Sequence, residues 1–289
     1  MRFSETRLDH MQVPDGFNLD IHIWEPEFPK AIFAAVHGGL AHAGDWVTSA
    51  LYFKDLGIAT AAFDLRGHKQ KKVCIEKFDQ FLEDIALFIR WVKEKYPTLP
   101  VFYLGHSMGA LIGTHIGLRF NQRPYRVNGF IFSSPYYGNA IKANPLVIPM
   151  IKIMSRFLPN LTIPGMILTD KLTRDREIAE RHILDENDGL RATKASIRFG
   201  SEILSAQKWV RENIQKWTAP LFVVIAGKDE LADSNVTRQL LKQVNPTVLT
   251  CVVKENNFHE NFNELDRKDT FLEIHKWMTG MIDNTVERQ

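Results

Sequence analysis

A serine lies between two glycines in the run Gly105-His106-Ser107-Met108-Gly109, a spacing that is typical of a sharp turn presenting a nucleophile. An apolar run at residues 101–104 precedes this motif, and an Ala-, Leu- and Ile-rich run at residues 110–120 follows it. The order strand, turn, helix would place the Ser107 hydroxyl at the end of a sheet. We expect both glycines to be required for space, because a side chain at either position would crowd the backbone where strand and helix pass closely.

A serine hydroxyl is a weak nucleophile unless a base removes its proton and an acid orients that base. Two suitable residues follow later apolar runs in the chain order that this turn commonly accompanies, acid before histidine. Asp229 lies three residues after the run at 221–226, and His259 lies six residues after the run at 248–253. We therefore predict Ser107, His259 and Asp229 as nucleophile, base and acid.

Three nearby residues have suitable chemistry but a weaker position. Glu230 and Asp233 lie farther from the strand end, and Asp233 fits better as the N-cap of a helix that begins at Ser234. His275 lies within an amphipathic helical pattern, so we interpret it as a packing or surface residue.

Acyl-transfer chemistry also requires N–H donors for the developing negative oxygen. We assign one donor to the amide of Met108, at the start of the helix. The other is predicted to be the amide of Gly39, in the run His37-Gly38-Gly39 that follows an apolar strand. A merely structural Gly-Gly turn is the alternative.

The rest of the pattern predicts an α/β fold. Continuous apolar runs at 31–36, 58–63 and 127–132 indicate strands buried on both faces of a parallel sheet, whereas residues 2–9 and 17–24 are typical of a hairpin with one wet face. Apolar residues at three- and four-residue spacing predict an amphipathic helix over 78–96. We expect a doubly wound, mostly parallel sheet of about eight strands.

Residues 136–215 interrupt this alternation with helical patterns, including 149–158 and 192–204, and no convincing strand. We predict a helical cap there, over the strand ends where ligands bind, and a core formed by residues 1–135 and 216–289. An apolar stripe on the cap either lines an acyl site or packs on the core, and it consists of Leu146, Ile148, Met150, Ile151, Ile153, Met154, Phe157 and Leu158. Leu40, His106 and Leu231 are predicted to contact the substrate from the core.

The chain of 289 residues carries a net charge of +2 and has no basic run interleaved with aromatic residues, so we expect no nucleic-acid partner. Cys74 and Cys251 are far apart and outside metal-ligand spacing, which favours reduced thiols in the cytoplasm and no metal. The polar N-terminus argues against a signal peptide. We expect transient contact with a membrane surface through the cap.

Taken together, these motifs resemble α/β-hydrolases of the monoacylglycerol lipase and lysophospholipase group. The runs that carry the resemblance are His37-Gly38-Gly39-Leu40-Ala41-His42, Asp64-Leu65-Arg66-Gly67-His68, Gly105-His106-Ser107-Met108-Gly109, Gly227-Lys228-Asp229, the late His259, Leu172-Thr173-Arg174-Asp175 and Phe199-Gly200-x-x-Ile203-Leu204. The resemblance implies the same triad and oxyanion amides, no cofactor, and a mobile apolar cap that admits an acyl chain.

The chain departs from that group at three positions. Monoglyceride-cleaving members carry Glu, Arg and His facing the glycerol, where this chain has Ala41, Asp45 and Phe262. The departures argue against glycerol recognition of that kind. We expect a serine hydrolase of lipid-like acyl esters; the alternatives are a general carboxylesterase, thioesterase, peptidase or acyltransferase on the same fold, or a non-catalytic binding protein.

Overall fold

The computed structural model describes residues 1–141, 147–164 and 169–286, so Leu146 lies outside the described residues. The strands are β1 (Arg7–Gln12), β2 (Asn18–Trp24), β3 (Ala31–Val36), β4 (Ile58–Phe63), β5 (Lys72–Val73), β6 (Val101–His106), β7 (Gly129–Ser133), β8 (Thr162–Pro164), β9 (Lys194–Ser196), β10 (Leu221–Ala226) and β11 (Leu249–Lys254). The α-helices are α1 (Val47–Asp55), α2 (Asp79–Lys95), α3 (Met108–Arg119), α4 (Val147–Phe157), α5 (Arg176–Asn187), α6 (Ile197–Asn213), α7 (Ser234–Leu241) and α8 (Arg267–Val286).

The main sheet has eight strands in the order β1-β2-β4-β3-β6-β7-β10-β11. The β1-β2 and β2-β4 pairs are antiparallel and the others are parallel. Every residue of β3, β4 and β10 is buried, as their uninterrupted apolar sequences predict. The predicted α/β, doubly wound fold is confirmed.

Each face of the sheet carries an apolar cluster. One cluster packs α2 and α3 against the sheet through residues such as Phe88 and Ile116, and the other packs α1 and α8 through Phe53 and Phe271. The carboxyl ends of β6, β10 and β11 are therefore held by a core on both sides. Among the described helices, none has both the length and the apolar character that crossing a bilayer requires.

The segment predicted as a cap contains α4, α5 and α6, but it also contains strands. β8 and β9 pair with each other, and β9 pairs with β5 from the core, giving a second sheet of three strands. The expectation of no strand in this segment is wrong, because strands of two or three residues are too short to produce an alternating pattern. The helix expected over 192–204 begins later, at Ile197, where the Ser196 hydroxyl accepts a hydrogen bond from the Phe199 amide at 3.1 Å.

Candidate active site

Ser107 lies on a strained turn between β6 and α3, with a φ of +54° that few non-glycine residues adopt. A Cβ at Gly105 would lie 2.8 Å from the carbonyl oxygen of Gly109, and a Cβ at Gly109 would clash with the carbonyl oxygen of Val36. The spatial requirement predicted for both glycines is confirmed. The turn holds the serine at the carboxyl end of the sheet.

A continuous hydrogen-bonded chain joins the three predicted residues. Ser107 Oγ lies 2.8 Å from His259 Nε2, and His259 Nδ1 lies 2.7 Å from Asp229 Oδ2. The other carboxylate oxygen of Asp229 accepts hydrogen bonds from the amides of Leu231 and Ala232, both at 2.9 Å. Because an ionised carboxylate can only accept, His259 carries its proton on Nδ1, and Nε2 is the acceptor for the serine hydroxyl.

The electrostatics of this chain favour an ionised acid and a basic imidazole. Burial opposes ionisation of Asp229, but the attraction of His259 and the two backbone donors outweigh it and lower the pKa of the carboxyl. Burial alone would lower the pKa of His259, yet Asp229 and Glu260 raise it above its ordinary value. The neighbouring His106 has a pKa of about 3, owing to burial and the proximity of His259.

The alternative residues are not bonded to His259. Glu230 also lines the cavity that contains Ser107, but its side chain is 56% exposed and forms an ion pair at 3.1 Å with Lys171. Asp233 accepts hydrogen bonds from the amides of Asn235 and Val236, so its predicted role as N-cap of α7 is confirmed. His275 lies within α8. These contacts leave Asp229 as the carboxylate that is bonded to His259.

The two amides predicted as oxyanion donors belong to neighbouring segments. A Cβ at Gly39 would lie 3.7 Å from Met108 Sδ, so the two residues are adjacent. In the described part of the chain, no loop hydrogen bond engages the amide of either residue. The next residue, Leu40, has a φ of +64°, and its carbonyl accepts a hydrogen bond from the Ala192 amide at 2.9 Å, which ties the loop to the cap.

A cavity of about 430 Å³ opens above Ser107. It is lined by Ser107, His259, Gly39 and Met108, and also by the predicted contact residues Leu40, His106, Ile151 and Leu231. Most of its other lining residues are apolar. Such a cavity is large enough for a small acyl ester.

Four of the predicted substrate contacts in and directly after α4 do not line this cavity. Met150, Phe157 and Leu158 are 52%, 74% and 55% exposed, and Met154 does not line the cavity either. α4 packs against α6 through its other side, where Ile151 faces the cavity and Ser155 is buried. The apolar residues named from the sequence therefore lie on both sides of α4, with Ile151 at the cavity and Met150, Ile153 and Phe157 exposed.

Six further lining residues of the segment predicted as a cap come from β9 and the start of α6. They are Ala195, Ser196, Phe199, Gly200, Ile203 and Leu204. The sequence contained a signal for them, because Phe199 and Ile203 lie one helical turn apart within a run that resembles the family, but they were not proposed as contacts. Arg191 and Glu260 also line the cavity, and no sequence pattern indicated them.

The three positions at which the chain departs from the family, Ala41, Asp45 and Phe262, lie at or near the cavity. Ala41 lines the cavity, and Asp45 accepts a hydrogen bond from Arg191 Nη1 at 2.5 Å. Phe262 is buried, with its ring centroid 5.8 Å from that of Trp46. Asp45 stands where monoglyceride-cleaving members of the family are expected to carry Arg. Its carboxylate is instead paired with Arg191, from the segment predicted as a cap.

Ligand atoms of His42, Asp45 and Asp185 lie within 4.8 Å of one another, which is close enough to consider a cation site. Both carboxylates are already paired, however. Arg2 Nη2 lies 3.0 Å from Asp185 Oδ1, and Arg191 donates to Asp45. We interpret this group as an ion-pair network.

A mostly parallel sheet with a serine on a strained turn after β6, and an acid and a histidine after β10 and β11, defines an α/β-hydrolase. The chain belongs to the family described as serine aminopeptidase, S33, whose model matches residues 27–266.

Named relatives of the chain include lipases. It is 28% identical over 280 residues to the monoglyceride lipase of Homo sapiens, covering 94% of this chain and 90% of that protein. It is 29% identical over 252 residues to the phospholipase YtpA of Bacillus subtilis, covering 86% and 95%. The fold is similar to that of a soluble variant of monoglyceride lipase from Saccharomyces cerevisiae in complex with a substrate analogue, with a TM-score of 0.84, 17% identity and 96% of each chain covered.

These findings confirm the predicted resemblance, and with it an enzyme of the ester-hydrolase type. The family description names a peptidase, whereas the relatives above are named as lipases and a phospholipase. The scissile bond and the substrate of this chain therefore have to be argued from its own cavity.

Proposed function

We propose that the protein hydrolyses carboxylic esters with an apolar acyl part, through an acyl-enzyme formed on Ser107. The observation that carries the proposal is the 2.8 Å contact between Ser107 Oγ and His259 Nε2 at the floor of a mostly apolar cavity. In the first half-reaction, Ser107 attacks the ester carbonyl carbon while His259 takes its proton. Asp229 stabilises the resulting imidazolium, and the amides of Gly39 and Met108 bind the negative oxygen.

Collapse of this intermediate breaks the bond to the alcohol, which leaves with the proton held by His259. In the second half-reaction, His259 removes a proton from a water molecule that attacks the acyl-serine. The carboxylic acid is then released and the hydroxyl of Ser107 is restored. Each proton removed by His259 is returned, so the cycle requires no further reactant.

The acyl part of the substrate would lie against the apolar wall of the cavity. This wall is formed by Leu40, Leu231 and the inward face of α6, including Phe199 and Ile203. We propose residues 136–215 as a cap over a core formed by 1–135 and 216–289, because α6 closes the cavity opposite Ser107. Burying an acyl chain there contributes roughly 0.8 kcal/mol for each methylene, which favours lipid-like esters over short ones.

Labelling with a fluorophosphonate probe tests the nucleophile, with Ser107→Ala as the matched variant. We expect one adduct on Ser107 and a loss of about 10⁴-fold or more in turnover in the variant. A series of p-nitrophenyl esters of increasing chain length then tests the acyl site, and aminoacyl amides test the peptidase alternative. Faster cleavage of aminoacyl amides than of medium-chain esters would refute the proposal.

We also propose that the outer face of α4 touches a membrane surface in the cytoplasm. Met150, Ile153 and Phe157 are exposed on this face, and Lys152 and Arg156 alternate with them on the same helix. Exposed apolar side chains beside basic ones are typical of contact with anionic lipid headgroups. Co-sedimentation with vesicles containing an anionic lipid should detect binding by the wild type and weaker binding by Phe157→Ser.

A further inference from the structure

A buried charged cluster reaches the wall of the cavity next to His259. We define the arginine cluster as Arg191, Asp45, His182 and Glu260. Arg191 and Glu260 are 6% and 5% exposed, and both line the same cavity as Ser107. Since Glu260 directly follows His259 in the chain, the cluster is adjacent to the reacting groups.

The hydrogen bonds of the arginine cluster define its charges. Arg191 Nη1 donates to Asp45 Oδ2 at 2.5 Å and to His182 Nδ1 at 3.0 Å. A guanidinium can only donate, so Nδ1 of His182 accepts and its proton is on Nε2, which donates to Glu260 Oε2 at 2.8 Å. Asn263 Nδ2 donates to the same oxygen at 2.8 Å. The cluster therefore holds one positive charge and two negative charges.

At the cavity wall, Arg191 Nη2 and Glu260 Oε1 make no hydrogen bond to the described part of the chain. Within the described part of the chain, both hydrogen bonds from the Arg191 guanidinium come from Nη1, and both to the Glu260 carboxylate go to Oε2. Arg191 Nη2 and Glu260 Oε1 lie 3.6 Å apart, beyond hydrogen-bond distance. The two side chains are 7% and 6% exposed, and both residues line the cavity that contains Ser107.

We propose that Arg191 Nη2 and Glu260 Oε1 bind a hydroxyl group in the alcohol part of the ester. A hydroxyl both accepts and donates, and one oxygen can lie within about 2.8 Å of two atoms that are this far apart. The inference rests on the proposed function, since it concerns the alcohol that leaves Ser107. Arg191 and Glu260 are then specificity-determining residues, on the side where Ala41, Asp45 and Phe262 depart from the family.

The charge of the cluster selects among alcohols. A phosphate on the alcohol would face the excess of negative charge from Asp45 and Glu260. An uncharged alcohol with a free hydroxyl does not meet this penalty. The structure therefore favours esters of an uncharged, hydroxylated alcohol over phosphorylated or simple alkyl esters.

Two variants remove one partner each with little change in shape. Arg191→Lys keeps a positive charge beside Asp45, but its three N–H donors lie on one nitrogen, so it has no second donor nitrogen at the position of Nη2. In Glu260→Gln, the amide oxygen faces the donors of His182 and Asn263, so an N–H group replaces the acceptor Oε1. Arg181→Lys, on the same helix as His182 but outside the cavity, is the matched control.

The experiment compares kcat/KM for three esters of octanoic acid, with glycerol, methanol and glycerol phosphate as the alcohol. Rates are measured on the alkaline plateau of each protein's pH profile. We expect the wild type and Arg181→Lys to prefer the glycerol ester to the methyl ester by about tenfold or more, a ratio that falls towards one in Arg191→Lys and in Glu260→Gln. The phosphorylated ester should be the slowest with the wild type.

An unchanged ratio in both variants, or a wild type that cleaves the phosphorylated ester as fast as the glycerol ester, overturns this inference and leaves the proposed function standing. Failure of the wild type to cleave any of the three esters is instead a failure of the proposed function. Labelling of Ser107 by fluorophosphonate reports whether each variant is folded. If Arg191→Lys is not labelled, Glu260→Gln decides the result.

Discussion

Two hydrogen-bonded networks meet at the wall of the cavity, the catalytic triad and the arginine cluster, and they are held in place by different means. Ser107, Asp229 and His259 follow strands of one sheet, and the sheet register brings them together. The arginine cluster instead joins the proposed cap to the core, and Arg191 and Asp45 are 146 positions apart in the chain. The sheet defines where the chemistry occurs, whereas a set of buried charges defines where the cap lies above it.

Breaking the first network should have the largest effect. In Asp229→Asn, the amide can no longer hold His259 in the tautomer that accepts the serine proton, so we expect kcat to fall about 10⁴-fold. Steady-state hydrolysis of a p-nitrophenyl ester measures the loss. Glu255→Gln, on the loop that leads to His259 but 72% exposed at its side chain, is the control and should retain full activity. A loss of less than tenfold in Asp229→Asn would contradict the assigned role.

Breaking the second network should reduce stability. Arg191→Met leaves the carboxylates of Asp45 and Glu260 buried without their guanidinium, which costs about 3–5 kcal/mol in the free energy of unfolding. Urea denaturation measures this change. Adding Asp45→Asn to Arg191→Met should recover part of the lost stability, because one of the two buried, unpaired carboxylates is then removed. Equal stabilities of Arg191→Met and the wild type would show that the cluster does not fix the cap.

The two networks are also coupled through Glu260, and the pH profile should reveal it. His259 is active as a base when neutral, so activity is lost as pH falls through its pKa. Asp229 and Glu260 raise that pKa against the effect of burial, placing the acid limb above pH 6.5. Glu260→Gln removes one negative charge, so the acid limb should move to lower pH. If the acid limb stays in place or moves to higher pH, the charge of Glu260 does not raise the pKa of His259, and the two networks are not coupled.

The same contrast explains what could be predicted from the sequence. Strands buried on both faces have continuous apolar sequences, and Ser107 and Asp229 follow two such strands. His259 follows the edge strand β11, in the chain order that this turn commonly accompanies. The arginine cluster has no such pattern, because its members come from four separate segments and are related by charge alone. The sequence of α4 is similarly incomplete as a guide, because it predicts an amphipathic helix but not which of its apolar residues meet the cavity and which meet solvent.

The smallest effects should come from two helix caps, one in each region. Asp233 caps α7 in the core, and Asp233→Ala should lower the free energy of unfolding by about 1 kcal/mol. Asp175 is the N-cap residue of α5, and its side chain accepts bonds from the amides two and three residues later, as that of Asp233 does. Its other carboxylate oxygen also accepts a bond at 2.6 Å from Arg267 Nη1, at the start of α8.

Asp175→Ala therefore removes a helix cap and an ion pair that ties the cap to the core. Because the Arg267 side chain is 26% exposed, the ion pair adds at most about 1 kcal/mol. We expect the loss at Asp175 to exceed the loss at Asp233, measured by urea denaturation of both alanine variants. Equal losses would mean that the ion pair with Arg267 contributes nothing to stability, and that Asp175 acts only as the N-cap of α5.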